Sequence, residues 1–305
     1  MDAFTRIGEL FISRVLPMIL IIGIGFVVHK AKRLDIPTLN KLNLYVLVPA
    51  ILFDALQMAL DDAGVVVALV AAHVFVLGLL GYAVSSLLRL DRETTAGVTL
   101  GGMLANCGNF GLPLMELAYG AAALGYQAIV LVVTNLLTFS VGIGVVTAGR
   151  KSVGEALVSF LKLPTAYVIA AALVMRHYGI QIWEPAGTAI GYVAKALIPV
   201  ALITLGAQLA DVRRNEKVGP VLAASLIRLF VSPCLMFGLV TLAGLTGLAA
   251  KVLVLGAAAP TAVNTVILAI EFENRPALAA NIVLLTTLAC AVTVSVTLYL
   301  VGLVF

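Results

Sequence analysis

Charged residues are scarce in this sequence, and that scarcity limits the folds it can adopt. Only 11% of the 305 residues are Asp, Glu, Lys or Arg, whereas 62% are hydrophobic. A water-soluble domain carries about a quarter of its residues as charges, so a soluble fold is excluded. A spanning helix needs roughly 20 mostly apolar residues. Six runs without Asp, Glu, Lys or Arg are long enough to predict such helices: 63–88, 94–115, 117–149, 229–250, 252–270 and 276–305.

The sequence also has only three cysteines and lacks familiar catalytic motifs. Cys107, Cys234 and Cys290 lie far apart inside apolar runs, which argues against a disulfide framework and against a CxxC metal pair. Neither an HExxH motif nor a Gly-x-Ser-x-Gly turn is present. We therefore expect no enzyme, no metal site and no cofactor. Nucleic acid is not an expected partner either, because the net charge of +4 comes from short loops.

The apolar runs predict an all-α polytopic membrane protein. Stretches such as 129–133 are apolar at every position, unlike the alternating strands of a membrane β-barrel. Charges, prolines and glycines divide the chain into ten predicted spans, near 10–29, 40–60, 64–88, 94–119, 124–148, 157–178, 184–209, 218–243, 249–271 and 276–304.

Basic residues are distributed unevenly between the two sides of this arrangement. Twelve, from Lys30 to Arg275, lie in the loops after the odd-numbered spans, whereas the other side holds Arg6, Arg14, Arg176 and Lys251. Positive loops favour the cytoplasmic face. The pattern predicts an integral protein of the cell membrane with both termini outside the cytoplasm.

A weak internal repeat divides the chain into two halves. At a shift of 147 to 155 residues, two Leu-Pro or Val-Pro-like pairs recur, and 101–116 aligns with 256–271. Five spans per repeat is an odd number, so the second copy is inverted in the membrane. We predict a first repeat over 1–148, a short cytoplasmic connection over 149–156 and a second repeat over 157–305.

Two spans contain residues that a continuous helix tolerates poorly. Residues 101–113 read GGMLANCGNFGLP, and residues 259–264 read APTAVN. Asn264 aligns with Asn109, and Thr261 aligns with Asn106. The fourth and ninth spans are therefore predicted to be interrupted at equivalent depths, near the middle of the bilayer.

Such interruptions predict a binding site for an anion. Unsatisfied backbone groups in hydrocarbon cost several kcal/mol each, so a break needs polar partners. Each break starts a new half-helix whose free N–H groups favour negative charge, and asparagine amides can bind a carboxylate. The alternative is that these small and polar residues only allow close helix packing. The predicted substrate-binding residues are Asn106, Asn109, Gly111, Pro113, Pro260, Thr261 and Asn264.

Four ionisable residues inside predicted spans are candidates for a charge or coupling role. Lys195 and Arg228 need an anionic partner in the membrane, and Asp54 is the obvious candidate for a structural ion pair. The competing hypothesis is that Lys195 or Arg228 faces the cavity and attracts a substrate carboxylate. His73 is a candidate for proton coupling, although a lone histidine in a span also serves as a hydrogen-bonding contact between helices.

The interrupted segments resemble those of the auxin efflux carrier family. The resemblance rests on Ala-Asn-Cys-Gly-Asn-Phe-Gly-Leu-Pro-Leu at 105–114 and Ala-Pro-Thr-Ala-Val-Asn at 259–264, and it extends over all ten spans. The loop at 149–155 is short, unlike the large hydrophilic domain of the long plant auxin carriers, so the chain resembles the bacterial members.

The resemblance implies a ten-helix fold in which the fourth and ninth spans cross, similar to sodium/proton antiporters and bile-acid symporters. It implies a scaffold of spans 1, 2, 6 and 7, often homodimeric, and a transport part of spans 3–5 and 8–10 that moves as an elevator. The implied function is secondary transport of an organic anion such as malate, malonate or an indole acid.

Several alternatives stay open at this stage. Coupling to sodium or protons, as in bile-acid symporters, is compatible with the sequence, because unwound backbone can supply oxygen ligands to sodium. A channel or a membrane sensor is also compatible with polar helix breaks. The expected partners are the lipid bilayer, a small organic anion and a second copy of the chain.

Overall fold

The chain folds into helices and short connections throughout the part that the structure describes. The structure is a computed structural model, and it describes residues 2–57, 62–147, 164–212 and 216–305. Within these ranges there is no strand, only an isolated antiparallel bridge between Ala105 and Thr261. Seven helices in these ranges are long and apolar enough to cross a membrane. The prediction of an all-α polytopic membrane protein is confirmed.

We number the helices in chain order. The seven long ones are α1 (Ala3–Lys32), α2 (Ile36–Leu56), α3 (Ala63–Leu87), α6 (Ala122–Thr147), α8 (Glu184–Ala210), α9 (Val218–Leu242) and α12 (Pro276–Val304). The shorter ones are α4 (Arg92–Met103), α5 (Leu112–Tyr119), α7 (Pro164–Tyr178), α10 (Gly247–Ala257) and α11 (Asn264–Glu271).

The predicted interruptions are present. The predicted span 94–119 consists of α4 and α5, and the predicted span 249–271 consists of α10 and α11. The first helix begins earlier than predicted, at Ala3 rather than near residue 10, because the Asp2 carboxylate accepts a hydrogen bond from the Thr5 N–H at 2.8 Å and caps it. The predicted connection 149–156, the start of the predicted sixth span and the end of the second lie outside the described residues.

Prolines shape the long helices by widening the turn that precedes them. Five-residue π turns lie immediately before the Xaa-Pro pairs that contain Pro17, Pro49, Pro113 and Pro233. A proline inside a helix lacks an N–H and crowds the carbonyl four residues earlier, so the backbone widens locally. These turns contain Asn43, Asn109 and Arg228, each of which has a place in or beside the site described below.

The helices pack in two groups. Helix α1 packs along α8, and α2 packs against α7 and α8. In the other group, α4 packs against α3 and α9, α6 packs against α3 and α5, and α12 packs against α9 and α11. Contacts also join the two groups, because α1 packs against α12 and α2 packs against α6.

Salt bridges reinforce each group separately. On the first, Asp211 at the end of α8 contacts His29 at 3.1 Å and Arg33 at 3.4 Å. On the second, Arg275 contacts Glu216 at 2.9 Å and Asp91 at 3.8 Å. Hydrogen bonds from Thr94 hold the pKa of the Asp91 carboxyl below its ordinary value. The bond from the Thr94 hydroxyl has the larger effect and the bond from its backbone N–H the smaller. No salt bridge between described residues joins the two groups.

Glycines allow α1 and α8 to touch backbone to backbone. A Cβ atom added at Gly206 would lie 2.0 Å from the Ile22 carbonyl oxygen, and one added at Gly25 would lie 2.2 Å from that of Ile203. Neither helix can move away without losing its packing against the other. The close crossing of α1 and α8 therefore depends on the lack of a side chain at Gly25 and at Gly206.

We expect Gly206→Ala to lower the melting temperature of the detergent-solubilised protein by several degrees. Overpacking costs about 1–3 kcal/mol, and each kcal/mol is worth about 2–4 °C in a protein of roughly this size. Gly191→Ala in the same helix is the matched control, because nothing lies within 4 Å of its added Cβ. Equal melting temperatures for the two variants would contradict the close crossing.

Candidate functional site

The two helix interruptions meet and satisfy each other's backbone groups. The Asn106 N–H donates to the Pro260 carbonyl at 2.8 Å, and the Ala262 N–H donates to the Leu104 carbonyl at 2.9 Å. These two hydrogen bonds form the antiparallel bridge between Ala105 and Thr261. Polar backbone that would be costly in an apolar interior is thereby paired, and the two breaks are locked together.

Threonine hydroxyls complete this pairing. Thr261 is wholly buried, and its hydroxyl donates to the Gly101 carbonyl at 2.7 Å, near the end of α4. The Thr261 N–H donates in turn to the Thr286 hydroxyl at 3.1 Å, on α12. Thr261 therefore stabilises the backbone at the break.

A polar cavity of about 150 Å³ lies where the second half of each interrupted helix begins. One wall is formed by 106–109, at the start of the turn that leads into α5, and another by 262–264, at the start of α11. The first N–H groups of a helix have no partner within the helix and carry partial positive charge. Two such ends therefore face the same cavity, which favours an anion there.

Asparagine amides add hydrogen-bond donors to this cavity. Asn106 is only 5% exposed, and its side-chain nitrogen has no hydrogen-bond partner among the described residues. The side-chain nitrogen of Asn264 lies 3.5 Å from the side-chain oxygen of Asn135, at the limit of a hydrogen bond. Because a buried, unpaired donor is costly, the Asn106 side chain places an unsatisfied donor beside the cavity.

The predicted substrate-binding residues fall into two groups. Asn106, Asn109 and Asn264 line the cavity, whereas the other four predicted residues do not. Pro260 and Thr261 hold the bridge between the breaks. The remaining two, Gly111 and Pro113, lie buried at the start of α5.

Gly111 has a specific packing role beside the cavity. A Cβ atom added there would lie 2.4 Å from the side-chain nitrogen of Gln127. That nitrogen donates to the Cys107 carbonyl at 2.8 Å, and the Gly111 N–H donates to the Asn106 carbonyl at 2.9 Å. Gly111 therefore lets Gln127 support the turn that carries Asn106 and Asn109.

Several cavity residues carried no signal strong enough to be chosen from the sequence. Asn135 and its neighbour Thr134 are polar residues within the charge-free run 117–149, which is the signal that could have identified them. Asn40 and Asn43 sit near the start of a predicted span, where polar residues are common. The cavity residues missed by the sequence argument are Asn40, Asn43, Thr134, Asn135, Thr138 and Thr165.

Hydrogen bonds between α2 and α8 also hold the cavity residues of the first group of helices in place. Gln208 donates to the side-chain oxygen of Asn40 at 3.0 Å, and Asn43 donates to the Thr204 hydroxyl at 3.3 Å. All four residues belong to α2 or α8. The cavity is thus lined on one side by amides fixed to the first group of helices and on the other by amides fixed to the second.

The expected ion pair of Asp54 with Lys195 or Arg228 is absent. Both Asp54 and Lys195 are exposed, and neither takes part in a salt bridge within the described ranges. The structure does not bring these side chains together, because Asp54 and Lys195 lie exposed on their helices whereas Arg228 is fully buried. Neither Lys195 nor Arg228 lines the polar cavity.

Arg228 and His73 form a separate buried cluster. The Arg228 guanidinium donates to backbone carbonyls and to the Ser232 hydroxyl. The His73 Nε2 lies 3.0 Å from the Ser232 carbonyl oxygen and 3.1 Å from its hydroxyl oxygen. His73 therefore makes the contact between helices that was the alternative to a proton-coupling role. Within the described ranges, no group of three His, Cys, Asp or Glu side chains is placed to hold a metal ion.

The sequence of the chain matches a known protein family and related transporters. The sequence profile of the family described as "Membrane transport protein" matches residues 10–157 and 165–298. An uncharacterised transporter of Methanothermobacter thermautotrophicus is 24% identical over 282 residues, which cover 90% of this chain and 93% of the relative. An uncharacterised transporter of Methanocaldococcus jannaschii is 25% identical over 263 residues, covering 82% and 84%.

Both relatives carry transporter names, and neither name specifies a substrate. The family match spans both interrupted segments and nearly all of the helices around them. The chain is a member of the membrane transport protein family to which the auxin efflux carriers belong.

Proposed function

We propose that this protein is a secondary transporter that carries a small organic anion by alternating access. The observation that carries the proposal is the polar cavity. The starts of two half-helices line it, and so does Asn106, whose buried side-chain nitrogen has no partner among the described residues. A carboxylate supplies both the negative charge that these helix ends favour and the acceptor that the amide lacks. Malate, malonate and indole acids are candidate substrates of this class.

The proposed architecture is ten spans in two inverted five-helix repeats whose interrupted helices cross. Two observations support it. The breaks occur after Met103 and after Ala257, close to equivalent positions of the repeat. Asn109 and Asn264, which the repeat aligns, both line the cavity. In this arrangement the protein lies in the cell membrane with both termini outside the cytoplasm.

The proposed motion is an elevator-like sliding of the transport part, α3–α6 and α9–α12, against the scaffold of α1, α2, α7 and α8. The cavity lies between these groups, with Asn43 contributed by one and Asn106 by the other. The four salt bridges of the described ranges lie within one group or the other. A hydrogen bond from Arg14 to the Leu117 carbonyl joins the two groups. Sliding would have to break this bond. Homodimerisation through the scaffold is part of this proposal.

Uptake into proteoliposomes tests carrier function directly. We expect uptake of a radiolabelled organic acid to saturate with concentration and to be accelerated by unlabelled substrate on the opposite side, because a carrier exchanges one bound substrate for another. Malonate, malate and indole-3-acetate should be compared as substrates. Channel-like ion currents without counterflow would contradict the proposal.

Replacing Asn106 or Asn264 by Ala should raise the half-saturation concentration by about 10- to 100-fold. This follows because a hydrogen bond to a charged group contributes about 1.5–3 kcal/mol and 1.4 kcal/mol corresponds to a factor of ten. Asn281→Ala is the matched control, since the Asn281 amide lies on α12 and donates to the Ala277 carbonyl of its own helix. An unchanged half-saturation concentration in both cavity variants would remove the cavity as the binding site.

A further inference from the structure

Arg228 is a fully buried cation whose partners are the ends of two helices. Its side chain is 0% exposed. One guanidinium nitrogen donates to the Met103 carbonyl at 3.2 Å and lies 3.4 Å from the Gly102 carbonyl. The other donates to the Ala257 carbonyl at 2.6 Å and to the Ser232 hydroxyl. Within the described ranges, no carboxylate lies within 4.0 Å of it.

Those carbonyls belong to the last turns of the two half-helices that precede the breaks. Met103 ends α4 and Ala257 ends α10. The last carbonyls of a helix lack partners within it, and each C-terminus carries about half a negative charge. Two convergent C-termini therefore present about one negative charge, which a single guanidinium balances.

Ser232 completes the cluster. Its hydroxyl accepts a hydrogen bond from Arg228 and donates one to the Ala257 carbonyl at 2.7 Å. Ser232 follows the π turn Ile227–Val231 and precedes Pro233. The widened turn thus brings the arginine and the serine of one helix to the same pair of helix ends.

The interrupted helices consequently have opposite polarity on the two sides of the bridge. The N-termini of the second halves face the polar cavity, whereas the C-termini of the first halves face Arg228. A cavity of about 20 Å³ beside Arg228 shares Ala105, Cys107 and Thr134 with the polar cavity. Arg228 therefore lies directly behind the proposed anion site without lining it.

Convergent carbonyl and hydroxyl oxygens at half-helix C-termini are the ligands that sodium-coupled transporters present to sodium. Here the carbonyl oxygens of Met103 and Ala257 and the hydroxyl of Ser232 are such a set, and the guanidinium occupies it. We propose that Arg228 is a built-in replacement for a coupling cation. It holds the two half-helix ends together and makes transport independent of sodium at this position. The transport role of this residue rests on the proposed carrier function.

The test replaces Arg228 and supplies a cation in solution. In proteoliposomes with choline as the only external cation, wild-type uptake of the organic acid should match uptake in sodium within about twofold. Arg228→Ala should lose at least about 100-fold in choline, because a network around a buried charge is broken. Millimolar guanidinium or sodium should restore it at least about tenfold. Arg228→Lys should keep uptake that does not depend on sodium.

A second measurement does not depend on finding the substrate. In detergent, sodium chloride or millimolar guanidinium chloride should raise the melting temperature of Arg228→Ala relative to choline chloride, since a bound cation stabilises the folded state. The wild type should show no such cation-specific shift. If no organic acid is transported by the wild type, the proposed function fails, yet this measurement still decides the role of Arg228.

Three results would overturn the proposal. The first is wild-type uptake that falls more than about tenfold when sodium is removed. The second is an Arg228→Ala protein that is folded but gains neither uptake nor thermal stability from either cation. The third, which applies also if Arg228→Ala does not fold, is sodium-dependent uptake or melting in Arg228→Lys.

Discussion

The hydrogen bonding of interrupted backbone in an apolar interior is the constraint on which this structure depends. Two helices stop at Met103 and Ala257 inside a protein that is 62% hydrophobic, and each stop exposes polar groups that lipid cannot satisfy. The bridge between Ala105 and Thr261 pairs part of them. Side chains of Arg228, Ser232 and Thr261 bind further carbonyls at the ends of α4 and α10.

That solution leaves one set of polar groups unused, and the proposed function follows from it. The carbonyl ends are bound by side chains of the protein itself, whereas the N–H ends lie at a cavity lined by Asn106, whose buried side-chain nitrogen lacks a partner. The carbonyl oxygens, which favour a cation, are already bound, whereas the N–H groups, which favour an anion, are still available. Such an arrangement is suited to bind an anion from solution. The proposed sliding of one group of helices past the other is supported by the division of the four salt bridges of the described ranges between the two groups.

Much of the helical architecture could be predicted because it depends on local sequence. Charge-free runs identified α3, α6, α12 and part of α9, and the density of Gly, Asn and Pro at 101–113 and 259–264 identified both breaks. The family was recognised from the same two segments and is confirmed by the match over residues 10–157 and 165–298. Asn106, Asn109 and Asn264 line the cavity because they lie at the breaks themselves.

The rest depends on contacts between distant parts of the chain. The sequence suggested a carboxylate partner for Arg228, since an intramembrane arginine needs negative charge, but nothing in its pattern indicates that two helix ends can supply that charge. Asn40 and Asn43 reach the cavity only because α2 packs against α8. The sequence alone does not distinguish Gly206 from the other helical glycines, because its role depends on the Ile22 carbonyl that packs beside it.

A cryo-electron microscopy structure of the protein with a bound organic acid tests the central claim most directly. The account predicts that the carboxylate lies between the start of α11 and the turn at 106–109, within hydrogen-bonding distance of the Asn106 amide. It also predicts that the Arg228 guanidinium still binds the Met103 and Ala257 carbonyls. A carboxylate paired with Arg228, with the guanidinium withdrawn from those carbonyls, would contradict it.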